Sequence, residues 1–367
     1  MTIQPKSSGV AQFGIALVIV MIAVTVLSVL AAAFAYSMKV ETKLAQNSNS
    51  ETELIWLGRS GVEFARYILA QQSAIANEPY DGLNQKWAGG PGGIGTSNSV
   101  LAGISLRDYH LGDGKFSITI TDLERKYNVN SADQVALEQS LRLIGVDAGD
   151  ASSIAASILD WIDADNNTHA GGAESPFYQS MDPPYFAKNQ PIDDLSELLL
   201  VRGVTPEIYW GGVSSNHLRA AFQNKLGRVS PASEQTLYVA GLEDIFTPIS
   251  NGRININTAS LTVLQMIPFV DEAIAAKIIE LRAGPDGAQG TEDDMPAGMP
   301  GVGIKDVLST AGLNTQAVLI AERYCTARSS TFEVVVEAEI AGYVRRFFAI
   351  LGRNNPRDVQ VLSFFWK

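Results

Sequence analysis

An unbroken apolar stretch near the start of the chain, Ile15 to Met38, limits most strongly what this sequence can fold into. No charged residue occurs between Lys6 and Lys39. Crossing the hydrocarbon core of a bilayer takes about 20 apolar residues, and a single charge at its centre costs roughly 2.5 to 3.5 kcal/mol. The stretch therefore predicts a membrane-spanning helix, whereas the chain after Met38 has the composition of a soluble protein.

The helical pattern does not end with the apolar stretch. Apolar residues recur at three-to-four spacing from Leu54 to Leu69, with charged residues between them, which is typical of an amphipathic helix. No proline occurs between Pro5 and Pro79. We therefore expect one helix over 15–72, on the order of 85 Å long. Its first half would lie in lipid and its second half against a soluble domain. A cleaved signal peptide is disfavoured, because signal peptides have a shorter apolar region than the stretch from Ile15 to Met38.

This layout resembles type IV pilins and the pseudopilins of type II secretion, in which a short polar leader ends in glycine before the apolar helix. The resemblance implies processing between Gly14 and Ile15. Most members carry Glu at the fifth mature position, where this chain has Ile19. Absence of that Glu, together with the large size, resembles the minor pseudopilins of the GspK family. Two departures are Phe13 before the glycine, where Arg or Lys is usual, and Gly9 as a second possible cleavage position.

The resemblance implies a function in assembly rather than catalysis, so the chain is not expected to be an enzyme. Without the Glu, the subunit would need no neighbour ahead of it and could cap the tip of a periplasmic pseudopilus and help initiate its assembly. The implied partners are GspI-like and GspJ-like minor pseudopilins, the prepilin peptidase, the inner-membrane assembly platform and the lipid bilayer. The implied location is the inner membrane, single-pass, with the C-terminal domain in the periplasm.

Three alternatives remain open at this point. One is the tip minor pilin of a type IV pilus, and another is a membrane-anchored DNA-uptake receptor that uses a helix-hairpin-helix motif. The third is a plain anchored periplasmic protein such as a hydrolase. The net charge of −12 argues against nucleic acid. The three histidines lack metal-ligand spacing, and no Gly-x-Ser-x-Gly sequence is present, so a catalytic set is not visible.

Strand patterns lie near both ends of the soluble part, and helical patterns lie between them. Period-two alternation predicts strands over 115–122, 331–340, 343–351 and 359–366. Helices are predicted over 133–144, 150–162, 193–200, 206–209, 261–267 and 271–282. The fold class is therefore α+β: one antiparallel sheet packs on the long helix, and a large, mainly helical domain is inserted into it. This pilin-like arrangement is also what the GspK resemblance implies.

The predicted division of the chain follows from these patterns. Residues 1–14 form the leader, and 15–38 form the membrane-spanning part of the first helix. Residues 39–128 contain the rest of that helix, a loop and the first strand. Residues 129–329 form the inserted domain, and 330–367 contain the final strands.

Two acidic loops in the insertion are candidate Ca²⁺ sites, because Ca²⁺ prefers six to eight oxygen ligands in flexible geometry. The first loop supplies Asp160, Asp163, Asp165 and Glu174. The second supplies a closely spaced set: Asp286, Glu292, Asp293 and Asp294. GspK resemblance also implies calcium. The competing interpretation is a pair of solvated acidic loops. His169, beside the first loop, is expected to be a surface residue rather than a ligand. The single Cys325 cannot form an internal disulfide.

The stretch from Asn255 to Arg282 resembles a helix-hairpin-helix module, with Leu198 to Tyr209 as a weaker copy. DNA-binding modules of this kind present backbone N–H groups of a glycine-rich hairpin to phosphate. Here the hairpin Ile267–Asp271 contains no glycine and does contain an acid. We therefore expect a packing unit rather than a nucleic-acid site.

Overall fold

The computed structural model describes residues 11–93, 99–211 and 240–366. Gly9, the alternative cleavage position, and His217 lie outside the described residues. The first element is helix α1, Ala11–Ser73, which is 63 residues long. By length and composition it can cross a membrane, and its most apolar window is not buried by the protein. The expectation of one continuous helix through the apolar and amphipathic stretches is confirmed.

A five-stranded antiparallel sheet packs against the second half of α1. Its strands are β1 (Tyr109–Leu111), β2 (Gly114–Asp122), β3 (Thr331–Ile340), β4 (Tyr343–Asn355) and β5 (Asp358–Trp366), and they lie in this order across the sheet. In the register, Ile118 is opposite Val336, which is opposite Phe347 on the next strand. All three side chains are buried. The sheet was predicted apart from β1, whose three residues are all exposed.

Two glycines let α1 approach the sheet closely. A Cβ on Gly58 would lie 2.4 Å from the Phe347 ring, and a Cβ on Gly61 would lie 2.5 Å from Val336 Cγ1. Both distances are far below van der Waals contact. One turn further along, Ala65, Ile68 and Leu69 are completely buried against the sheet. The helix–sheet core therefore depends on the small residues facing the sheet.

The chain between β2 and β3 forms the helical insertion, which has its own apolar core. Within its described residues, 123–211 and 240–330, the α-helices are α2 (Gln134–Ile144), α3 (Ala148–Ile162), α4 (Ser175–Gln179), α5 (Pro206–Trp210), α6 (Leu242–Ile245), α7 (Leu261–Leu264), α8 (Glu272–Arg282), α9 (Ile304–Thr310) and α10 (Thr315–Ala321). Leu195–Leu200 is a 3₁₀ helix. Two-residue strands pair in parallel, Tyr127–Asn128 with Phe246–Thr247 and Ile254–Asn255 with Cys325–Thr326. Helices α4, α6, α9 and α10 were not predicted. The α+β fold class is confirmed.

Four turns between helices in the insertion share one design. A residue with positive φ is followed by a buried Val or Leu and then by the residue that precedes the next helix. The four turns are Gly145-Val146-Asp147, Gly203-Val204-Thr205, Phe269-Val270-Asp271 and Gly312-Leu313-Asn314. The left-handed conformation costs a residue with a Cβ roughly 1–2 kcal/mol. Three turns avoid this cost with glycine, and the fourth does not.

A buried polar cluster joins the insertion to the sheet. Asp122, the last residue of β2, accepts hydrogen bonds at Oδ2 from Asn255 Nδ2 (2.9 Å) and Thr258 Oγ1 (2.6 Å). Beside it, the buried Arg353 of β4 pairs with the carboxylate of Asp81. Burial raises the pKa of Asp122 to about 7. The Asn255–Thr258 segment therefore fixes the second half of the insertion to the sheet.

Candidate metal centre

The first acidic loop brings its four predicted carboxylates together. Helix α3 ends at Ile162, and its last turn carries Asp160, which is fully buried. The chain then turns through Asp163 and Asp165 and returns to Glu174, the residue that precedes α4. Ligand atoms of Asp163, Asp165 and Glu174 lie within 4.8 Å of one another, as do those of Asp160, Asp163 and His169. The two groups share Asp163, so the five side chains form one cluster.

Three carboxylate oxygens in this cluster are buried and have no hydrogen-bond partner. They are Asp160 Oδ2, Asp163 Oδ1 and Glu174 Oε1. Most buried polar side-chain atoms in folded proteins are hydrogen-bonded, so each exception needs an explanation. A cation beside Asp163 would give these exceptions a common explanation, because Asp160 and Glu174 each share a group of closely spaced ligand atoms with Asp163. The residues present fit a bound metal ion.

Electrostatics within the cluster support this conclusion. Burial raises the pKa of Asp163, and the nearby Asp165 carboxylate adds to the increase. Burial also raises the pKa of Glu174, with further contributions from the other three acids. Each shift arises because negative charge is held out of water beside other negative charge. A divalent cation at the cluster would remove that penalty.

His169 is exposed, as expected for a surface residue, but it also belongs to the cluster. Its backbone N donates to Asp160 Oδ1 (2.9 Å), and its Nδ1 lies 2.5 Å from the same oxygen. This contact raises the pKa of His169. From the sequence, each histidine was judged by its spacing to another histidine. That criterion could not identify His169, because the partners of its imidazole are carboxylates. The histidine holds one oxygen of Asp160, and the other oxygen remains for a cation.

Neighbouring segments hold the loop in place. A Cβ on Gly172 would lie 2.1 Å from Asp160 Oδ2, so only glycine allows the chain to pass the carboxylate. The Gly172 carbonyl accepts a 3.0 Å hydrogen bond from Arg202, whose guanidinium stacks 4.9 Å from the Phe177 ring. Asn189 Nδ2 donates to the Asp165 carbonyl at 2.5 Å. The cluster is therefore tied to two distant stretches of the insertion.

The second acidic loop is arranged differently. Asp293 Oδ2 accepts from Asp286 N (3.0 Å), and Asp294 Oδ2 accepts from Gly290 N (2.8 Å). Arg282 crosses the base of the loop and bonds to Gln289 Oε1 and to the Ile256 carbonyl. In the described part of the chain, ligand atoms of Asp286, Glu292, Asp293 and Asp294 form no metal-type grouping of three or more. Backbone N–H groups of the loop donate to Asp286, Asp293 and Asp294, and metal binding there remains only a prediction.

The predicted processing position lies in helix α1, where Gly14 and Ile15 continue the helical backbone. Nothing in this geometry tests cleavage there.

Comparison with known proteins relates the fold and the cluster to one family. The family described as "Type II secretion system (T2SS), protein K" matches residues 115–210, a range that contains the whole carboxylate cluster. The type II secretion system protein K of Klebsiella pneumoniae is 26% identical over 211 residues, which are 54% of this chain and 60% of that protein. The chain is a relative of type II secretion system protein K. The GspK resemblance inferred from the sequence is confirmed.

Other relatives extend the similarity over more of the chain. Protein K of Pseudomonas aeruginosa is 24% identical over 287 residues, covering 77% of this chain and 75% of that protein. A solved chain from the GspK-GspI-GspJ complex of enterotoxigenic Escherichia coli has a TM-score of 0.61 at 18% identity. It covers 88% of this chain and 99% of its own length, and it shows the same fold. The match to the Klebsiella protein spans about three fifths of that relative's length. These relatives do not favour the type IV pilus tip or the DNA-uptake receptor.

Proposed function

We propose that this chain is a minor pseudopilin of the type II secretion system, which caps the tip of the periplasmic pseudopilus and helps initiate its assembly. The observation that carries this proposal is the series of type II secretion protein K relatives, one of which matches 77% of the chain. In this proposal the protein acts by assembly and is not an enzyme. Its partners are other minor pseudopilins resembling GspI and GspJ, together with the inner-membrane assembly platform.

The architecture gives a physical reason for a position at the tip. In a fibre built from pilin-like subunits, the apolar helices pack together and the sheets face outward. This chain adds an insertion of roughly 200 residues between β2 and β3, with a core of its own. Such a domain would collide with neighbours along a packed shaft, but it has space at the end. Ile19 in place of a buried Glu is consistent with a subunit that needs no neighbour ahead of it.

The first half of α1 supports an inner-membrane location with a single span. Its apolar side chains are exposed, which in water would leave a very large apolar surface unprotected. We infer that the prepilin peptidase removes the leader by cleavage between Gly14 and Ile15, and that this half then lies in the bilayer until it leaves the membrane with the fibre. The insertion and the sheet would then lie in the periplasm.

We infer that the cation of the candidate metal centre is Ca²⁺ and that its role is structural. Asp160, Asp163, Asp165 and Glu174 supply hard carboxylate oxygens, the ligand type that Ca²⁺ prefers. When bound, the ion would neutralise the acids and hold the loop between α3 and α4. Trp161 lies next to Asp160 in sequence, so Tb³⁺ luminescence excited through tryptophan is a direct probe of the site. Competition by Ca²⁺ at lower concentration than Mg²⁺ supports the assignment, and a preference for Zn²⁺ contradicts it.

The proposed function is tested by deleting the gene in the source bacterium and measuring export of a type II cargo. Loss of export, restored by the full chain supplied on a plasmid, supports the proposal. Normal export in the deletion strain, with loss of pili or of DNA uptake instead, would refute it.

A further inference from the structure

The turn between α7 and α8 breaks the design shared by the other three turns. At the position with positive φ, the others carry Gly145, Gly203 and Gly312, whereas this one carries Phe269 with φ +67°. A phenylalanine in the left-handed region is disfavoured, and glycine is the residue that removes the penalty. Residues held in such conformations cluster at functional sites. The fold therefore tolerates at this turn a penalty that it avoids at the three equivalent turns.

The Phe269 ring does not compensate for this penalty by packing. It is 62% exposed, and within the described residues it makes no aromatic or cation–π contact. The turn itself does not need the ring, because Val270 fills the buried position and Asp271 caps α8 by accepting from Ile274 N at 2.8 Å. An exposed aromatic side chain on a rigid turn has the properties of a protein-binding hot spot: large contact area and little conformational entropy to lose.

The charge around the turn indicates what kind of surface it fits. No Lys or Arg occurs between Arg253 and Lys277, whereas Asp271 and Glu272 follow the phenylalanine and are exposed. Phosphate groups of nucleic acid or lipid would be repelled at such a surface. An apolar pocket with basic residues at its rim would be attracted.

We propose that the turn of Phe269 is a docking point at which the ring enters an apolar pocket, bordered by Lys or Arg, on another protein of the secretion machinery. The choice of partner rests on the proposed function. In DNA-binding helix-hairpin-helix modules, the turn between the two helices presents N–H groups to phosphate. In this chain, the corresponding turn would present an aromatic ring to a protein. The docking surface is defined as Phe269, Asp271 and Glu272.

Two variants separate a binding role from a structural one. Phe269→Gly and Phe269→Asn both remove the ring and relieve the backbone, since Gly and Asn accept the left-handed conformation. We expect the full chain in detergent to keep its Tm or gain about 2–4 °C. The same variants should lose export in the complemented deletion strain, whereas Val135→Asn, at a side chain 68% exposed on α2, should keep it. A lower Tm for both variants, or normal export by both, would overturn the proposal.

A photocrosslinking aromatic residue at position 269 of the full chain then identifies the surface it contacts in living cells. The expected adduct is a secretion-machinery protein crosslinked within an apolar pocket with basic neighbours, and Glu272→Lys should reduce its yield. A crosslink to lipid, to nucleic acid, to a second copy of this chain, or to no macromolecule would overturn the proposal. The deletion strain tests the proposed function separately: if export is normal without the chain, that function fails whatever position 269 contacts.

Discussion

The carboxylate cluster predicts that one substitution has opposite effects with and without a metal ion. Asp163 belongs to both groups of ligand atoms, and within each group the atoms lie within 4.8 Å of one another. Two unit charges at that separation repel by about 0.9 kcal/mol in water and more inside a protein. In metal-free protein, Asp163→Asn removes this repulsion. The variant should therefore be more stable than the parent by about 1 kcal/mol or more when a chelator is present.

The order reverses when Ca²⁺ is bound. An ion at 100 times its dissociation constant stabilises the folded state by about 2.7 kcal/mol, which corresponds to a Tm increase of roughly 5–11 °C for a domain of 150–250 residues. Asp163→Asn removes a charged ligand and should lose most of that increase. The assay is thermal unfolding of the full chain in detergent, followed by near-ultraviolet circular dichroism, for both proteins with EDTA and with Ca²⁺.

A parallel response of the two proteins to Ca²⁺ would contradict metal binding at Asp163. If Ca²⁺ stabilises both proteins equally, the ion binds elsewhere. If it stabilises neither, the unpartnered oxygens do not hold Ca²⁺. Asp286→Asn in the second acidic loop is the matched control, because that loop shows no comparable grouping, and it should leave the Ca²⁺ response unchanged.

Three other substitutions test the surrounding structure. Gly172→Ala places a Cβ against Asp160 Oδ2 and should abolish the Tb³⁺ signal. Gly61→Ala pushes α1 away from Val336 and should lower the free energy of unfolding by about 1–3 kcal/mol, measured by urea titration. Asp122 has a pKa of about 7 in the folded protein against an ordinary value near 3.9. Its contribution to the free energy of unfolding is therefore full below pH 4 and declines as the pH rises towards 7. Asp122→Asn should remove up to about 4 kcal/mol of that decline, measured by unfolding titrations across this pH range.

Controls for these substitutions come from the same chain. A Cβ on Gly149 or Gly103 would meet no atom within 4 Å, and both have ordinary φ. Gly149→Ala, within α3, should therefore preserve the Tb³⁺ signal, and Gly103→Ala should preserve stability. If Gly149→Ala loses the Tb³⁺ signal, the loss in Gly172→Ala does not come from the contact with Asp160. If Gly103→Ala is clearly destabilised, the effect of Gly61→Ala does not come from the contact with Val336. For Asp122, an unchanged pH dependence in the variant would contradict the assigned pKa.

The main sheet and the long helix were predictable because burial imposes a simple period on their side chains. Strand β3 was predicted at its observed bounds, 331–340, from alternating β-branched residues. Helices α4, α6, α9 and α10 were missed because none is longer than seven residues, which is too short for a clear period. The shared turn design was recognised in only two of its four copies, the helix-hairpin-helix-like stretches Asn255 to Arg282 and Leu198 to Tyr209. Its signal is a glycine before a Val or Leu and a capping residue, as in Gly145-Val146-Asp147, and Phe269 conceals the pattern in one of four cases.

The candidate site was half predictable. Asp160, Asp163 and Asp165 follow one another at the end of a helix, so their proximity is a local property. Glu174 was also predicted as a ligand, although it reaches the cluster only because the loop turns back at Gly172. His169 returns with the same turn, and nothing in the sequence indicated that it would join the acids. Conversely, the second loop looked equally acidic, but backbone N–H groups of the loop already donate to Asp293 and Asp294. Hydrogen bonds formed on folding, rather than the number of acids, separate the two loops.

The most direct test of the pseudopilin assignment is the N-terminus of the mature protein extracted from membranes, determined by intact mass and terminal sequencing. We expect a chain that begins at Ile15 and keeps the apolar half of α1. A chain that still begins at Met1 would be a plain membrane anchor, and a chain that has lost the whole stretch to Met38 would be a secreted soluble protein. Either of these results would contradict the assignment.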